Sequence, residues 1–350
     1  MKKSLLSYPL IISLSIFLSI APAIAAFSVT SEDIGKLQGA TAVTGTCINN
    51  RGEVAGGSFF GSATNEAAFI WNKNDGISSL PNPIGATSSA ALGINNEGDV
   101  VGTINTSPTA THAYLWQEHG IVLDLGMLPG STSVSATSIN DYDQVVGYCT
   151  VAGTPSTNHA YLWTQENGMI ELGKLPGASN SKAIAINNYG QVAGYCTFPG
   201  SPNFNHACMW NPDGTVTDLG TLSGTLNSYG EGINDKGEIV GYSGTGSSNK
   251  AFLWTADNGI TDLGNLPGAA TTIAFAINER GQVVGMSGLP GKPHAFLWSA
   301  KDGMRALGEL TGDPYSIAYA INNRGQVVGF SGVQTPTAPA WNGVIWTTRG

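Results

Sequence analysis

The chain has 350 residues, of which 47 are glycine and only 11% are charged, and its formal net charge at neutral pH is −9. The charged share is less than half the usual one, and an acidic surface repels phosphate backbones, so with no Lys/Arg cluster to offset it nucleic-acid binding is disfavoured. Abundant glycine with few charges suits many short strands and tight turns within one large all-β domain.

Met1-Lys2-Lys3 leads into an apolar stretch from Leu5 to Ile20 and then into Ala21-Pro22-Ala23-Ile24-Ala25-Ala26. This predicts a signal peptide over residues 1–25, cleaved near Ala25, and a secreted, periplasmic or cell-surface protein. The stretch is short and broken by Ser7, Pro9, Ser13, Ser15 and Ser19, and no second run of membrane length follows, so no stable membrane insertion is expected after cleavage. Loss of Lys2 and Lys3 takes the 15 basic residues to 13, against 24 acidic ones, a net of −11.

Residues 26–350 read as one domain of seven copies. An Ile-Asn pair recurs at Ile48-Asn49, Ile94-Asn95, Ile139-Asn140, Ile186-Asn187, Ile233-Asn234, Ile277-Asn278 and Ile321-Asn322. A period of about 45 residues is that of a solenoid, propeller or array. Each copy starts with an Asp-Leu-Gly segment (Asp124–Gly126, Asp218–Gly220, Asp262–Gly264), marked in weaker copies by Ile34, Leu80, Leu172 and Leu307. An alternating segment such as Ala318-Tyr319-Ala320-Ile321-Asn322 follows and predicts a half-buried strand.

Next comes an Asn-x-x-Gly turn, as in Asn322–Gly325, entering Gln326-Val327-Val328-Gly329, which predicts a hairpin. The fourth segment ends in Trp71, Trp116, Trp163, Trp210, Trp254, Trp298 or Trp346. Four strands and their turns use up the repeat and leave no room for a helix. Such four-stranded sheets bury their faces only by stacking on neighbouring copies, with the seven tryptophans as blade-to-blade core.

The reading is an all-β, seven-bladed β-propeller of four-stranded blades. The last copy lacks a strand after Trp346 while the N-terminus has one to spare, so residues around Val29–Leu37 are predicted to pair with Gly343–Thr347 and close the ring. An open β-solenoid is the alternative; it would need polar end caps.

The run His294-Ala295-Phe296-Leu297-Trp298, with variants His112–Trp116, His159–Trp163 and His206–Trp210, together with the Leu-Gly-x-Leu-x-Gly, Ala-Ile-Asn and Gly-Gln-Val-Val-Gly pieces, resembles the HAF family of probable extracellular repeats over residues of about 33 to 347. The resemblance implies an exported protein and is nearly silent on activity. Ala67, Lys250 and Asn342 replace the His in three copies, so the His is dispensable to the fold.

Residues that fold a repeat recur, so a residue that breaks the pattern is the better functional candidate. The position two before each Ile carries Thr46, Leu92, Thr137, Ile184, Glu231, Phe275 and Tyr319. Glu231 is the one charge among them. On an innermost strand, Glu231, Phe275 and Tyr319 would project toward the central channel; the bland account of Glu231 is a solvated edge residue. Trp341 lies outside the frame, as a sugar-stacking platform or as part of the ring closure. The repeated His residues read as hydrogen-bonded structural groups, and no metal site or cofactor is expected.

Cys196 and Cys208 flank a loop between predicted adjacent strands, so a disulfide is permitted in an oxidising compartment; buried free thiols are the alternative. No catalytic motif is present. The sequence therefore points first to a monomeric, non-enzymatic extracellular binding module for glycans or surface proteins. The alternatives are a polysaccharide hydrolase or lyase using Glu231 with an acid of another blade, and a structural surface protein.

Overall fold

The computed structural model describes residues 28–349, apart from residues 63, 108–109, 119, 154–155, 201–203, 246–247, 290 and 334–339. The expected signal peptide lies outside the described residues. The described residues form strands and no helix, grouped into seven antiparallel four-stranded sheets. In the third, Ser131–Ile139, Val145–Val151, Thr157–Thr164 and Gly168–Glu171 pair in chain order.

The strand that ends in Ile-Asn is innermost in every blade. In order these are Ala42–Ile48, Ser88–Ile94, Ser131–Ile139, Asn180–Ile186, Ser228–Ile233, Thr271–Ile277 and Tyr315–Ile321, belonging to blades 1 to 7. Each adjoins the inner strands on either side, and the seventh adjoins the first. The open solenoid is thereby excluded, because the seventh blade packs back onto the first.

Closure is by strand exchange. Ser28–Asp33 is the outer strand of blade 7, running antiparallel to Ala340–Arg349 from Ser28 opposite Arg349 to Asp33 opposite Val344. The main-chain N–H of Ile34 continues the ladder to the Gly343 carbonyl at 3.0 Å. The N-terminus covers the hydrogen-bonding edge that the last strand would otherwise expose.

The core is seven seams rather than one centre. Val101 and Leu115 of blade 2 pack with Val134, Ala136 and Tyr161 of blade 3, and Val328 and Ile345 of blade 7 pack with Val43, Val54 and Phe69 of blade 1. The repeated tryptophans sit in these seams, and Trp116, Trp210 and Trp346 donate their indole N–H to the carbonyls of Pro81, Gly173 and Gly308, just after the outer strand of the preceding blade. No blade can bury its faces alone, which is why the repeat does not fold as an isolated unit.

At the end of each inner strand the repeated Asn performs two tasks. Its side-chain oxygen accepts the main-chain N–H groups two and four residues on, as Asn234 does from Lys236 and Glu238, which shapes the Asn-x-x-Gly turn. Its side-chain nitrogen donates to the carbonyl of the corresponding Asn in the next blade: Asn49 to Asn95, Asn95 to Asn140, and so on through Asn187, Asn234, Asn278 and Asn322, which returns to Asn49. Seven buried amides thus form a closed circle around the axis.

Candidate functional site

Every inner strand carries a register shift at the same place. The shifts fall between Gly45 and Cys47, Ala91 and Gly93, Ala136 and Ser138, Ala183 and Ala185, Gly230 and Gly232, Ala274 and Ala276, and Ala318 and Ala320. The residue skipped is the one two before Ile, so Thr46, Leu92, Thr137, Ile184, Glu231, Phe275 and Tyr319 are all bulge residues. A bulge leaves one residue out of the ladder and re-aims its side chain. Here all seven line one axial cavity of about 470 Å³.

The bulge also accounts for the glycine of Gly-Gln-Val-Val-Gly. The inner-strand carbonyl before the bulge presses onto the second strand, where a Cβ on Gly56, Gly102, Gly147, Gly194, Gly241, Gly285 or Gly329 would lie within about 2.0 Å of it. Only a residue without a side chain fits there.

The lining is mostly apolar: Leu92, Ile94, Ile139, Ile184, Ala185, Ile233, Phe275 and Ala276 form most of the wall. Two polar members are already committed. The Thr46 hydroxyl lies 3.1 Å from the Ala55 carbonyl and 2.7 Å from that of Ala91, and the Thr137 hydroxyl 3.1 and 3.0 Å from those of Val146 and Ala183. Each thereby ties its blade to the next.

Glu231 is the sole acid of the lining. No side-chain hydrogen bond or ion pair holds its carboxylate among the described residues, and burial pushes its carboxyl up to about 7. It faces a tyrosine cluster: Tyr195 and Tyr242 have their hydroxyls raised by burial and then by the charge of Glu231. Tyr229 joins them, its ring centroid 4.9 Å from that of Tyr195 and 4.6 Å from that of Tyr242. The reading of Glu231 as a solvated edge residue is corrected: the bulge turns it into the channel rather than out to solvent.

The structure brings Phe275 and Tyr319 together, with ring centroids 5.3 Å apart. Tyr319 continues to Phe330 at 6.2 Å, Phe330 to Trp341 at 5.3 Å, and Trp341 to Phe59 at 5.8 Å. Trp341 stands apart from the cavity wall. Its indole N–H donates to the Thr44 hydroxyl at 2.7 Å, which pins blade 7 to blade 1, so of the two sequence expectations for Trp341 its contacts match the closure role.

Sequence reasoning missed Tyr195, Tyr229, Tyr242 and Glu66. Tyr195 and Tyr242 follow the glycine that recurs in the second strand of each blade, where blade 1 has Gly57. Glu66 fills the space beside Gly57, with its carboxylate where a Cβ on that glycine would stand, and burial raises its carboxyl to about 7. The copy-breaking rule that found Glu231 would have found Glu66, which stands where other copies have Thr111, Asn158, Asn205, Asn249, Pro293 and Trp341.

The opposite mouth of the channel is polar and smaller in volume, about 180 Å³, and is lined by the Asn circle and the residues after it. There the main-chain N–H groups of Asn50, Asn96, Asp141, Asn188, Asp235, Glu279 and Asn323 each donate to the side-chain oxygen of the corresponding residue one blade on. Its carboxylates are therefore structural acceptors. Among the described residues no group of three or more His, Cys, Asp or Glu side chains is arranged to hold a metal ion.

The repeated His residues are not among the channel lining and pair with acids of the outer strand region: His112 with Asp124 at 3.3 Å, His159 with Glu171 at 2.6 Å and His206 with Asp218 at 2.9 Å. Lys250 takes the same place against Asp262 at 3.2 Å. Where Ala306 replaces the acid, His294 turns to Glu309 at 2.7 Å. Cys196 and Cys208 are buried free thiols in adjacent strands of blade 4, their Sγ atoms 3.2 Å apart.

The chain matches no family model and no curated protein sequence. Among solved structures it is similar to virginiamycin B lyase from Staphylococcus aureus, with a TM-score of 0.56 and 13% identity over 92% of this chain and 99% of that one. It is also similar to a streptogramin B lyase, with a TM-score of 0.59 and 11% identity over 92% and 98% of the two chains. A third similar structure is the β-propeller domain of the Trilobed protease from Pyrococcus furiosus, described as having an open velcro topology, with a TM-score of 0.58 and 12% identity over 89% and 95%. At these identities the likeness is one of fold.

Proposed function

We propose that this propeller is a secreted, non-enzymatic recognition module whose axial channel receives a group presented by a glycan or a surface protein. The observation that carries this reading is the open, mostly apolar cavity of about 470 Å³ with one unpartnered carboxylate, Glu231, in its wall. Its volume lies in the ordinary range of ligand pockets, and a few polar groups on an apolar wall are the usual means of orienting a guest. The N-terminal sequence and the resemblance to exported repeats support the extracytoplasmic location.

A hydrolase with paired acid and base calls for two carboxyl groups about 5 to 9.5 Å apart, and the cavity lining offers Glu231 alone. The lyases of similar fold lend this chain no residue, because the likeness does not extend to side chains.

The test is a glycan array and a panel of purified surface proteins, screened with the mature chain, with Glu231→Ala, and with Leu92→Trp, which plugs the channel from the opposite wall. Saturable binding by the wild type that both variants lose is the expected result. Binding that ignores Leu92→Trp, or no binding to any member of either panel, overturns the proposal.

A further inference from the structure

We propose that the group received by the channel is an organic cation, an ammonium on an apolar stem, held between the Glu231 carboxylate and the Phe275 and Tyr319 rings of the same wall. This rests on the channel reading above and names the chemistry of its guest.

An ionised carboxylate withdrawn from water is costly unless it is paired. Glu231 has no such partner among the described residues, and burial alone accounts for its raised carboxyl. Tyr195 and Tyr242 are coupled to its charge, with Tyr229 stacked on Tyr242 and edge-on to Tyr195, and all three lie outside the cavity lining, whose own rings are Phe275 and Tyr319. Lys182, on the neighbouring blade, is engaged elsewhere, its Nζ held 4.1 Å from the centroid of the Tyr148 ring. The protein leaves an anion in a cavity and supplies no cation to it. A guest that brings one removes the cost.

The surroundings select the kind of cation. The faces of aromatic rings carry negative potential and attract ammonium groups, most strongly where water is excluded. Phe275 is the next bulge residue after Glu231 and Tyr319 the one after that, with their rings 5.3 Å apart, so aromatic surface continues around the wall from the acid. Lys182 over Tyr148 is the same contact made within the chain. Leu92, Ile94, Ile139 and Ile184 offer a stem nothing to hydrogen-bond and much to pack against. A metal ion would want several oxygens, and the lining gives it one carboxylate. A bare sugar would find the Thr46 and Thr137 hydroxyls already placed on main-chain carbonyls.

Because the Glu231 carboxyl titrates near 7 while an alkylammonium stays charged, the ionised form is the one that binds. Affinity then rises with pH up to about 7 and levels off above it, and binding below that pH releases a proton.

Titration calorimetry of the full mature chain with n-pentylammonium, 1-pentanol and pentanoate tests the proposal, repeated at pH 5.5, 7 and 8.5 and with Glu231→Gln and Leu92→Trp. Pentylammonium is expected to bind at least about tenfold more tightly than 1-pentanol, with pentanoate not binding, and to lose at least about tenfold in Glu231→Gln and all binding in Leu92→Trp. Glucosamine and Nα-acetyl-lysine amide, run alongside, separate a sugar-borne from a protein-borne amino group; binding of either supports the cation. If 1-pentanol binds as tightly as pentylammonium and only Leu92→Trp abolishes it, the cation is overturned while the channel reading stands. If pentylammonium binds regardless of Leu92→Trp, both fall. If no ammonium probe binds, the cation is overturned whatever the array shows.

Discussion

Asn322 donates its side-chain amide to the carbonyl of Asn49, 2.9 Å away and 273 positions earlier in the chain. This contact is the seventh link of the amide circle and lies at the seam that strand exchange must hold shut. Asn322→Ala strands the N–H groups of Arg324 and Gln326 and leaves the Asn49 carbonyl with the Gly52 N–H as its remaining donor. It is expected to cost about 2–4 kcal/mol, read from equilibrium unfolding in urea. Asn140→Ala, within the continuous part of the ring, should cost about the same. A loss well under 1 kcal/mol in both would show that the circle carries little of the stability.

Gly241→Ala places a Cβ 1.9 Å from the Tyr229 carbonyl at the bulge of blade 5. Since the obstacle is main chain, the sheet itself must move, and a loss of about 3 kcal/mol or more is expected. Gly173→Ala is the control: its Cβ would meet only the Val216 side chain, at 3.5 Å. Thermal melts of the two variants should separate widely, and similar melting temperatures would refute the account of the bulge glycine.

The carboxyls of Glu231 and Glu66 are raised from 4.5 to about 7 in the folded protein. A folded-state value above the unfolded one means that the stability from proton uptake is fully present below about 4.5 and is lost as pH rises through about 7. Glu231→Gln should therefore match the wild type at pH 4 and exceed it above pH 7. The gain would be about 1–2 kcal/mol once the full linkage value is discounted for solvent in the channel. Unfolding midpoints across this range provide the check, and a gain that does not depend on pH would count against the assignment.

Removal of residues 26–33 uncovers the hydrogen-bonding edge of Ala340–Arg349. The truncated chain is expected to melt at least about 10 °C lower and to self-associate as concentration rises, since an unpaired edge recruits other strands. Size-exclusion chromatography over a range of concentrations would show it. A monomer of unchanged melting temperature would mean that the closure strand is ornamental.

The His–acid pairs sit near the surface, so His206→Ala should cost less than about 1 kcal/mol. Lys250→His should be neutral, because Lys250 and His206 hold equivalent acids at 3.2 and 2.9 Å. Urea unfolding of both variants measures this, and a large loss in either would assign the pair a weight that its exposure does not suggest.

The blade count, strand order and closure were legible because each has a local signature: the repeated Ile-Asn, the turn glycine, and one strand missing at one end and spare at the other. Glu231, Phe275 and Tyr319 were legible as departures from the repeat. The inter-blade bonds of Asn49 and its equivalents were not, since a turn-forming Asn and one that also reaches the next blade look alike in sequence. Nor was the bulge, whose trace is a glycine on a different strand. The tyrosine cluster escaped because Tyr195 and Tyr242 come from one segment and Tyr229 from another, and the repeat does not show that their rings meet across the seam of blades 4 and 5.

The bulge position accepts threonine, leucine, isoleucine, glutamate, phenylalanine and tyrosine around one ring, with the same backbone shift in every blade. The shift therefore does not depend on which side chain stands at the bulge. Mutation at five of these sites, all but Thr46 and Thr137 whose hydroxyls bond to the next blade, can sample new chemistries on the axis while the amide circle stays as it is. A lineage of such chains could change the guest proposed for the channel one socket at a time and never pass through an unfolded intermediate.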